Sequence, residues 1–388
     1  MDGNIKIGIV GLGQRGVLAD RAHRYEGFSV THVCDTDPVK AVATRERFGT
    51  HAQFTSDFNT FLADDTVDAA MILSPDWLHA SQTIALLQRG KTVFLEKPMG
   101  ITIQECDQIL DELERVGGRL FVGHNMRYSP FVLKMKSLLD SGAIGQLQTV
   151  WERHFISYGG DAYYKDWHAD QRFTTGLLLQ KAAHDMDVIQ WLSGAYAVRV
   201  QGMGRLSVYN RVTNRSEKVE PWGPRWRDEN WPPLEARMLN PVIDVEDLSM
   251  LHAELSNGVL VAYQQCHYTP DTFRNYTFIG DRGRIESTRD DQHRWVIRVW
   301  NRRRDRHNPE GDEQYVIEPP PGGHEGADEL MMDDFVGFLR DPEFNPRCSP
   351  FDARMAVAVT YQATQSIRSG GMPLDVPGYG RQVANVPH

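Results

Sequence analysis

The sequence predicts an α/β protein: a doubly wound parallel sheet over residues 1–125, then an α+β domain with a large, mostly antiparallel sheet over residues 126–388. Three features carry that prediction. Apolar, β-branched runs alternate with stretches of helical period through the N-terminal third. A glycine-rich turn separates the first such run from the first helix. Beyond about residue 128 the pattern changes to long strands with alternating apolar and polar side chains.

Taken in order, Ile5–Gly11 is the first strand and Gly13–Glu26 the first helix. Phe28–Asp35 and Pro38–Phe48 repeat the step, as do Val67–Ser74 with Leu78–Gln88 and Lys91–Leu95 with Ile103–Val116, before a last strand at Arg119–Gly123. Strands joined by helices imply right-handed crossovers and a parallel sheet covered on both faces. In the second domain a helix at Ser129–Leu139, a strand at Gln146–Ile156 and a helix around residue 184 precede strands at Val245–Leu255, Gly258–Tyr268, Tyr276–Ile279, Arg284–Ser287 and Trp295–Val299. Helices return at Ala327–Leu339 and Phe351–Ser369, the last of which could pack back on the first domain.

A chain of 388 residues is long enough for two cores. Its formal net charge of −10 excludes a generally basic, nucleic-acid-binding surface. No segment approaches the roughly 18 consecutive apolar residues that a membrane helix needs. The first residues run directly into an apolar strand, without a leader pattern, so a cytoplasmic protein is expected. Cys34, Cys106, Cys266 and Cys348 are dispersed, which predicts buried thiols rather than disulfides or a zinc site; no metal is expected.

Gly11-Leu12-Gly13-Gln14-Arg15-Gly16 has the G-x-G-x-x-G spacing between a strand and a helix, and Asp35 ends the next strand. The first glycine serves the tight turn, the second lets backbone approach a pyrophosphate, the third permits close helix packing, and the carboxylate binds ribose hydroxyls. This is a Rossmann fingerprint. Asp35 would repel a 2′-phosphate, which favours NAD over NADP, unless Arg45 or Arg47 folds back to meet one.

Two further motifs follow later strands: Ser74-Pro75-Asp76-Trp77-Leu78-His79 and Glu96-Lys97-Pro98. Together with Gly123-His124-Asn125-Met126-Arg127-Tyr128, His184-Asp185-Met186-Asp187, residues 278–286 and His324-Glu325-Gly326-Ala327-Asp328, they resemble the Gfo/Idh/MocA family over nearly the whole chain. The resemblance implies that Lys97 is catalytic, that His184 is the general base, and that Ser74, Pro75, His79, Glu96, Lys97 and Asn125 join the glycine turn and Asp35 around the cofactor. An ammonium can orient a hydroxyl and stabilise its developing charge, and imidazole titrates near neutrality.

One departure is evident: many family sugar and inositol dehydrogenases carry an aspartate four residues before the histidine, where this chain has Gln180. Gln180 could orient the ring, Asp187 could supply the charge, or Lys181 could take over the hydroxyl contact; we count Lys181 among the catalytic candidates. The aromatic and polar stretch at residues 158–172 precedes this helix. Tyr163, Tyr164, Lys165, Trp167, His168 and Arg172 are substrate candidates there, beside Lys97, Arg127, Tyr128, Gln180, Lys181 and His184. Asn210–Arg237, with Trp222, Arg225, Trp226, Arg227 and Trp231, is a long irregular segment, either lid or dimer arm. Residues 301–311 (NRRRDRHNPEG) read as a solvated hairpin loop.

The family resemblance implies an NAD-dependent oxidoreductase acting on a secondary hydroxyl of a sugar, sugar acid or cyclitol, in a homodimer or homotetramer. The alternative is an NAD-dependent glycoside hydrolase that works by oxidation, elimination, hydration and reduction, with Lys165, Lys181 and Arg172 suiting an anionic glycoside. A non-enzymatic regulator would leave Lys97 and His184 idle.

Overall fold

Short, largely buried apolar runs become five strands of the six-stranded first sheet, and the more exposed Gln53–Thr55 adds the sixth at its edge: β1 (Ile5–Val10), β2 (Phe28–Cys34), β3 (Gln53–Thr55), β4 (Ala69–Ile72), β5 (Thr92–Leu95) and β6 (Leu120–Val122). In this computed structural model, which describes residues 4–217 and 228–380, they pair in parallel in the order β3-β2-β1-β4-β5-β6. The order reverses between β1 and β4, and at such a switch point the carboxyl ends of the strands leave a crevice for a ligand. The helices fall where the periodicity puts them, Ile103–Val116 residue for residue. β3 and the helix Phe58–Leu62, capped by Asp57, were not expected: Gln53-Phe54-Thr55 has a single apolar residue, and a five-residue helix is too short to show a helical period.

The chain divides into two units, Met1–Tyr128 with Gly322–Arg354, and Ser129–Pro321 with Met355–His388. Residues 322–354, which the sequence grouped with the second domain, therefore cluster with the first. Their helix Ala327–Arg340 presents Phe335 edge-on to Phe94 and Phe121, at centroid distances of 5.1 and 5.5 Å, and Phe338 to Phe121 at 5.7 Å. Met331, Met332 and Leu339 complete the same apolar core. Aromatic complementarity, invisible in a linear pattern, assigns this helix.

In the second unit, β7 (Leu147–Phe155), β8 (Ala197–Arg205), β9 (Leu248–Leu255), β10 (Leu260–Cys266), β11 (Phe273–Gly280), β12 (Arg284–Arg289), β13 (Trp295–Trp300), β14 (Glu313–Ile317) and β15 (Leu374–Asp375) form one sheet. Its order is β14-β13-β12-β11-β7-β10-β9-β8-β15, antiparallel except for the parallel pair β7 and β10. β8, β14 and β15 were not expected; glycines interrupt β8, and β15 has only two residues. The helices Pro130–Asp140 and Leu177–Ser193 pack on one face. The loop at residues 301–310 is mostly exposed, as expected of a solvated hairpin. The four cysteines are free and buried. No helix among the described residues is long and apolar enough to cross a membrane. Trp222, Arg225, Trp226 and Arg227, on which the lid or dimer-arm reading rests, lie outside the described residues.

Candidate active site

The glycine turn is shaped by its neighbours. Gly11 has φ +90°, and a Cβ there would lie 2.8 Å from the Ser74 backbone, so only glycine lets β1 end against the loop after β4. At Gly13 a Cβ would meet no heavy atom within 4 Å among the described residues, leaving the open approach that a pyrophosphate requires. At Gly16 a Cβ would come within 3.2 Å of Leu12 Cδ1, in keeping with close helix packing. The Asp35 carboxylate accepts the Leu12 N–H at 2.7 Å and the Asp37 N–H at 2.9 Å, which fixes it at the end of β2 beside the turn. Arg47 pairs with Asp20 at 2.8 Å and donates to the Gly16 carbonyl at 2.6 Å, so its guanidinium is committed within the protein. These residues fit a dinucleotide with an unphosphorylated ribose.

Several sequence candidates have structural duties instead. Arg15 spends all three guanidinium nitrogens on carboxylates: Nε on Glu96 at 2.7 Å, Nη1 and Nη2 on Asp328 at 3.0 Å each. Glu96 also accepts the Lys97 N–H at 3.0 Å, and Asn125 Nδ2 donates to Asp328 at 2.9 Å. His79, 1% exposed, turns Nδ1 to the Pro98 carbonyl at 2.7 Å and Nε2 to the Ser74 carbonyl at 2.9 Å, tying together the two loops that carry family motifs. The Ser74 hydroxyl donates to Gln82 at 2.6 Å. Lys97 itself is half-buried and precedes Pro98 through a cis peptide bond. Arg127 is buried against Asp352 at 3.3 Å, and the Tyr128 ring lies in the first unit's core under Arg347. Long side chains near strand ends are drawn to whatever counter-charge or apolar wall tertiary packing supplies, which spacing in sequence does not reveal.

In the second unit Gln180, Lys181 and His184 share the helix Leu177–Ser193, which is buried along nearly its whole length. Lys181 Nζ stands 4.6 Å over the Tyr163 ring, a cation–π contact. Tyr163 meets His168 edge-on at 5.3 Å and His267 at 5.6 Å; Trp167 stacks on His168 at 3.6 Å, and Asp166 bonds His168 Nδ1 at 2.6 Å. Lys165 is buried. Lys181, Tyr163, Trp167 and His168 thus form one cluster. Tyr164 lies in the same buried core as Tyr163, stacked on Tyr209 at 4.1 Å with its hydroxyl donating to the Glu246 carbonyl. Arg172 is exposed and pairs with Asp170.

Sequence reasoning missed the polar layer beneath the His184 helix. Asp185, fully buried, accepts His154 Nδ1 at 2.9 Å, Tyr263 Oη at 3.1 Å and Tyr276 Oη at 2.7 Å, with Arg274 Nε 3.3 Å away. Burial works against its ionisation, yet Arg274 and His154 hold its pKa well below the usual carboxylate range. Burial and Arg274 together push His154 down to about 4. Burial and the Asp185 charge push the Glu152 carboxyl well up. Glu152, His154 and Asp185 bring one ligand atom each within 4.8 Å, a grouping that could hold a cation, but the Arg274 guanidinium already supplies positive charge there. Only the alternation of polar residues along β7, β10 and β11 hinted at this layer.

Comparisons with known proteins identify the family and the fold. The family described as "Oxidoreductase family, NAD-binding Rossmann fold" matches residues 5–124, and "Oxidoreductase family, C-terminal alpha/beta domain" matches residues 136–376. The oxidoreductase YteT of Bacillus subtilis is 25% identical over 361 residues, 81% of this chain and 83% of its own. An inositol 2-dehydrogenase of Acidothermus cellulolyticus is 33% identical over 199 residues, 49% of this chain; the match spans 54% of that relative's length. A levoglucosan dehydrogenase solved in complex with NADH superposes with a TM-score of 0.76 at 19% identity, covering 97% of this chain and all of that one, a likeness of fold. The cofactor of this chain is NAD.

Proposed function

Because the chain belongs to the Gfo/Idh/MocA oxidoreductase family, we propose that it oxidises a secondary hydroxyl of a sugar, sugar acid or cyclitol. The observation that carries the reading is the Lys181–Tyr163–His168–Trp167 cluster beside His184: an aromatic wall with cationic and imidazole donors matches the alternating C–H faces and hydroxyls of a carbohydrate ring. Inositol and levoglucosan dehydrogenases among the similar proteins support the same substrate class.

NAD, held by Gly11, Leu12, Gly13, Gly16 and Asp35, supplies the hydride acceptor. Lys97, fixed by the Glu96 carboxylate at its own N–H, orients the hydroxyl oxygen and stabilises its developing negative charge. His184 takes the hydroxyl proton. Gln180 stands where many sugar and inositol dehydrogenases of the family carry an aspartate and can orient the imidazole, and Lys181 adds a cationic contact to the substrate. Lys181→Met should raise the Michaelis constant or lower turnover.

The homo-oligomer is also a proposal. Trp151, Met203, Met250, Leu260, Ile279 and Val316 are exposed on the uncovered face of the nine-stranded sheet, a surface suited to burial against a second copy.

The deciding experiment incubates the purified protein with NAD and free sugars, sugar acids, inositols and chromogenic glycosides, following NADH and released aglycone together. Steady NADH without aglycone establishes the dehydrogenase. Aglycone release at catalytic NAD, with no net NADH, would replace it with the redox-neutral glycoside hydrolase.

A further inference from the structure

Asp328 opens the helix Ala327–Arg340, where an acidic residue commonly complements the helix dipole from the surface. Here it points inward. Its side chain is 1% exposed and receives Arg15 Nη1 and Nη2 at 3.0 Å each, Asn125 Nδ2 at 2.9 Å and His324 Nδ1 at 3.0 Å. The backbone is bent to allow this: His324, Glu325 and Gly326 are consecutive left-handed residues, with φ of 46°, 59° and 81°. Two of them are not glycine, and each costs about 1 kcal/mol or more in that region. At Gly323 a Cβ would lie 2.3 Å from Asp328 Oδ2, so no other residue could stand there with the carboxylate in place. A strained turn, a required glycine and a buried carboxylate converge on one arginine.

That arginine sits inside the glycine turn after β1 and reaches Glu96 after β5 with its remaining nitrogen. Glu96 in turn holds the Lys97 N–H. Asn125, after β6, joins from the other side. Three strand ends on the carboxyl edge of one sheet are thereby linked by charge-assisted bonds, the bidentate Arg15–Asp328 fork giving direction as well as energy.

We propose that Asp328 is a positioning residue for Lys97, acting through Arg15 and Glu96, and that this carboxylate–arginine–carboxylate ladder sets the geometry of the Glu96-Lys97-Pro98 turn. The inference rests on the reading of Lys97 as the catalytic lysine. Without Asp328 the Arg15 fork loses its anchor, Glu96 can follow Arg15, and the Lys97 peptide loses its fixed acceptor. Misplacement of a catalytic group by about 1 Å costs on the order of a hundredfold in rate.

The test uses the full chain without added cofactor. Wild type, Asp328→Asn and Arg15→Lys, which keeps the charge but loses the fork, are labelled briefly with acetic anhydride. Acetylation of Lys97 is then read by peptide mass spectrometry against exposed Lys6. The expected result is a change of about threefold or more in the Lys97-to-Lys6 ratio in both variants, since ammonium reactivity follows its local environment. With a substrate from the panel, kcat should fall about tenfold while the sugar KM moves by less than about threefold. An unchanged labelling ratio in either folded variant overturns the proposal. Should no panel compound be oxidised, the labelling still decides the positioning role, so the two failures remain separate. If Asp328→Asn does not fold, Arg15→Lys carries the same prediction alone.

Discussion

At the carboxyl edge of the parallel sheet, Arg15 lies between Glu96 and Asp328, and each carboxylate has a further N–H donor of its own. Beneath the His184 helix, Arg274 faces Asp185, which is fully bonded, while the Glu152 carboxylate oxygens have no hydrogen-bond partner among the described residues. Both clusters place two acids about one arginine. The first gives both carboxylates hydrogen-bond donors; the second gives donors to Asp185 alone, and burial with the Asp185 charge pushes the Glu152 pKa well up. A buried charge is tolerated when it is paired and hydrogen-bonded, and otherwise it neutralises. Local hydrogen bonding, not composition, separates the two clusters.

Removing the arginine of the second cluster should break this comparison most severely. Arg274→Met leaves Asp185 buried without its counter-charge, and loss of one partner of a buried pair costs about 3–5 kcal/mol. Urea unfolding at neutral pH should show that loss, and a midpoint within error of wild type would mean that Asp185 does not depend on Arg274.

A smaller effect, of opposite sign, should follow Glu152→Gln. The folded pKa of Glu152 is raised by burial and by Asp185. The unfolded chain therefore releases this proton first, and above the ordinary carboxylate range the group costs stability that grows as pH rises toward the folded pKa. The amide lacks that penalty. Glu152→Gln should gain about 1 kcal/mol or more at pH 8, one pKa unit being worth about 1.4 kcal/mol, with the gain fading toward pH 4.5. Thermal melts of the two proteins across that range read it directly; parallel curves would place Glu152 ionised in the fold.

The smallest effect is expected outside both clusters. Arg172 pairs with Asp170 in the open, where solvent and salt screen the pair. Arg172→Ala should leave the melting temperature and the Michaelis constant unchanged, and a raised Michaelis constant would return Arg172 to the substrate site.

What the sequence determined by itself is the part of the protein written in short-range pattern. Alternation of apolar runs and helical periods gives the first sheet and its helices, because periodicity is a property of adjacent residues. The glycine turn with Asp35 gives the candidate cofactor site, because a strand, a turn and a helix N-terminus are contiguous. β3, with one apolar residue in three and partly exposed, carries too little pattern to be seen. Tertiary structure alone decided which polar side chains remain available for chemistry. Arg15 reads as a cofactor residue until Asp328, 313 positions away, takes its fork. Tyr164 reads as a sugar platform until Tyr209 stacks on it. Asp185 looks like a neighbour of His184 until β7, β10 and β11 surround it with His154, Tyr263, Arg274 and Tyr276. Pairing of charges and rings depends on distance in space, and the sequence records only distance along the chain.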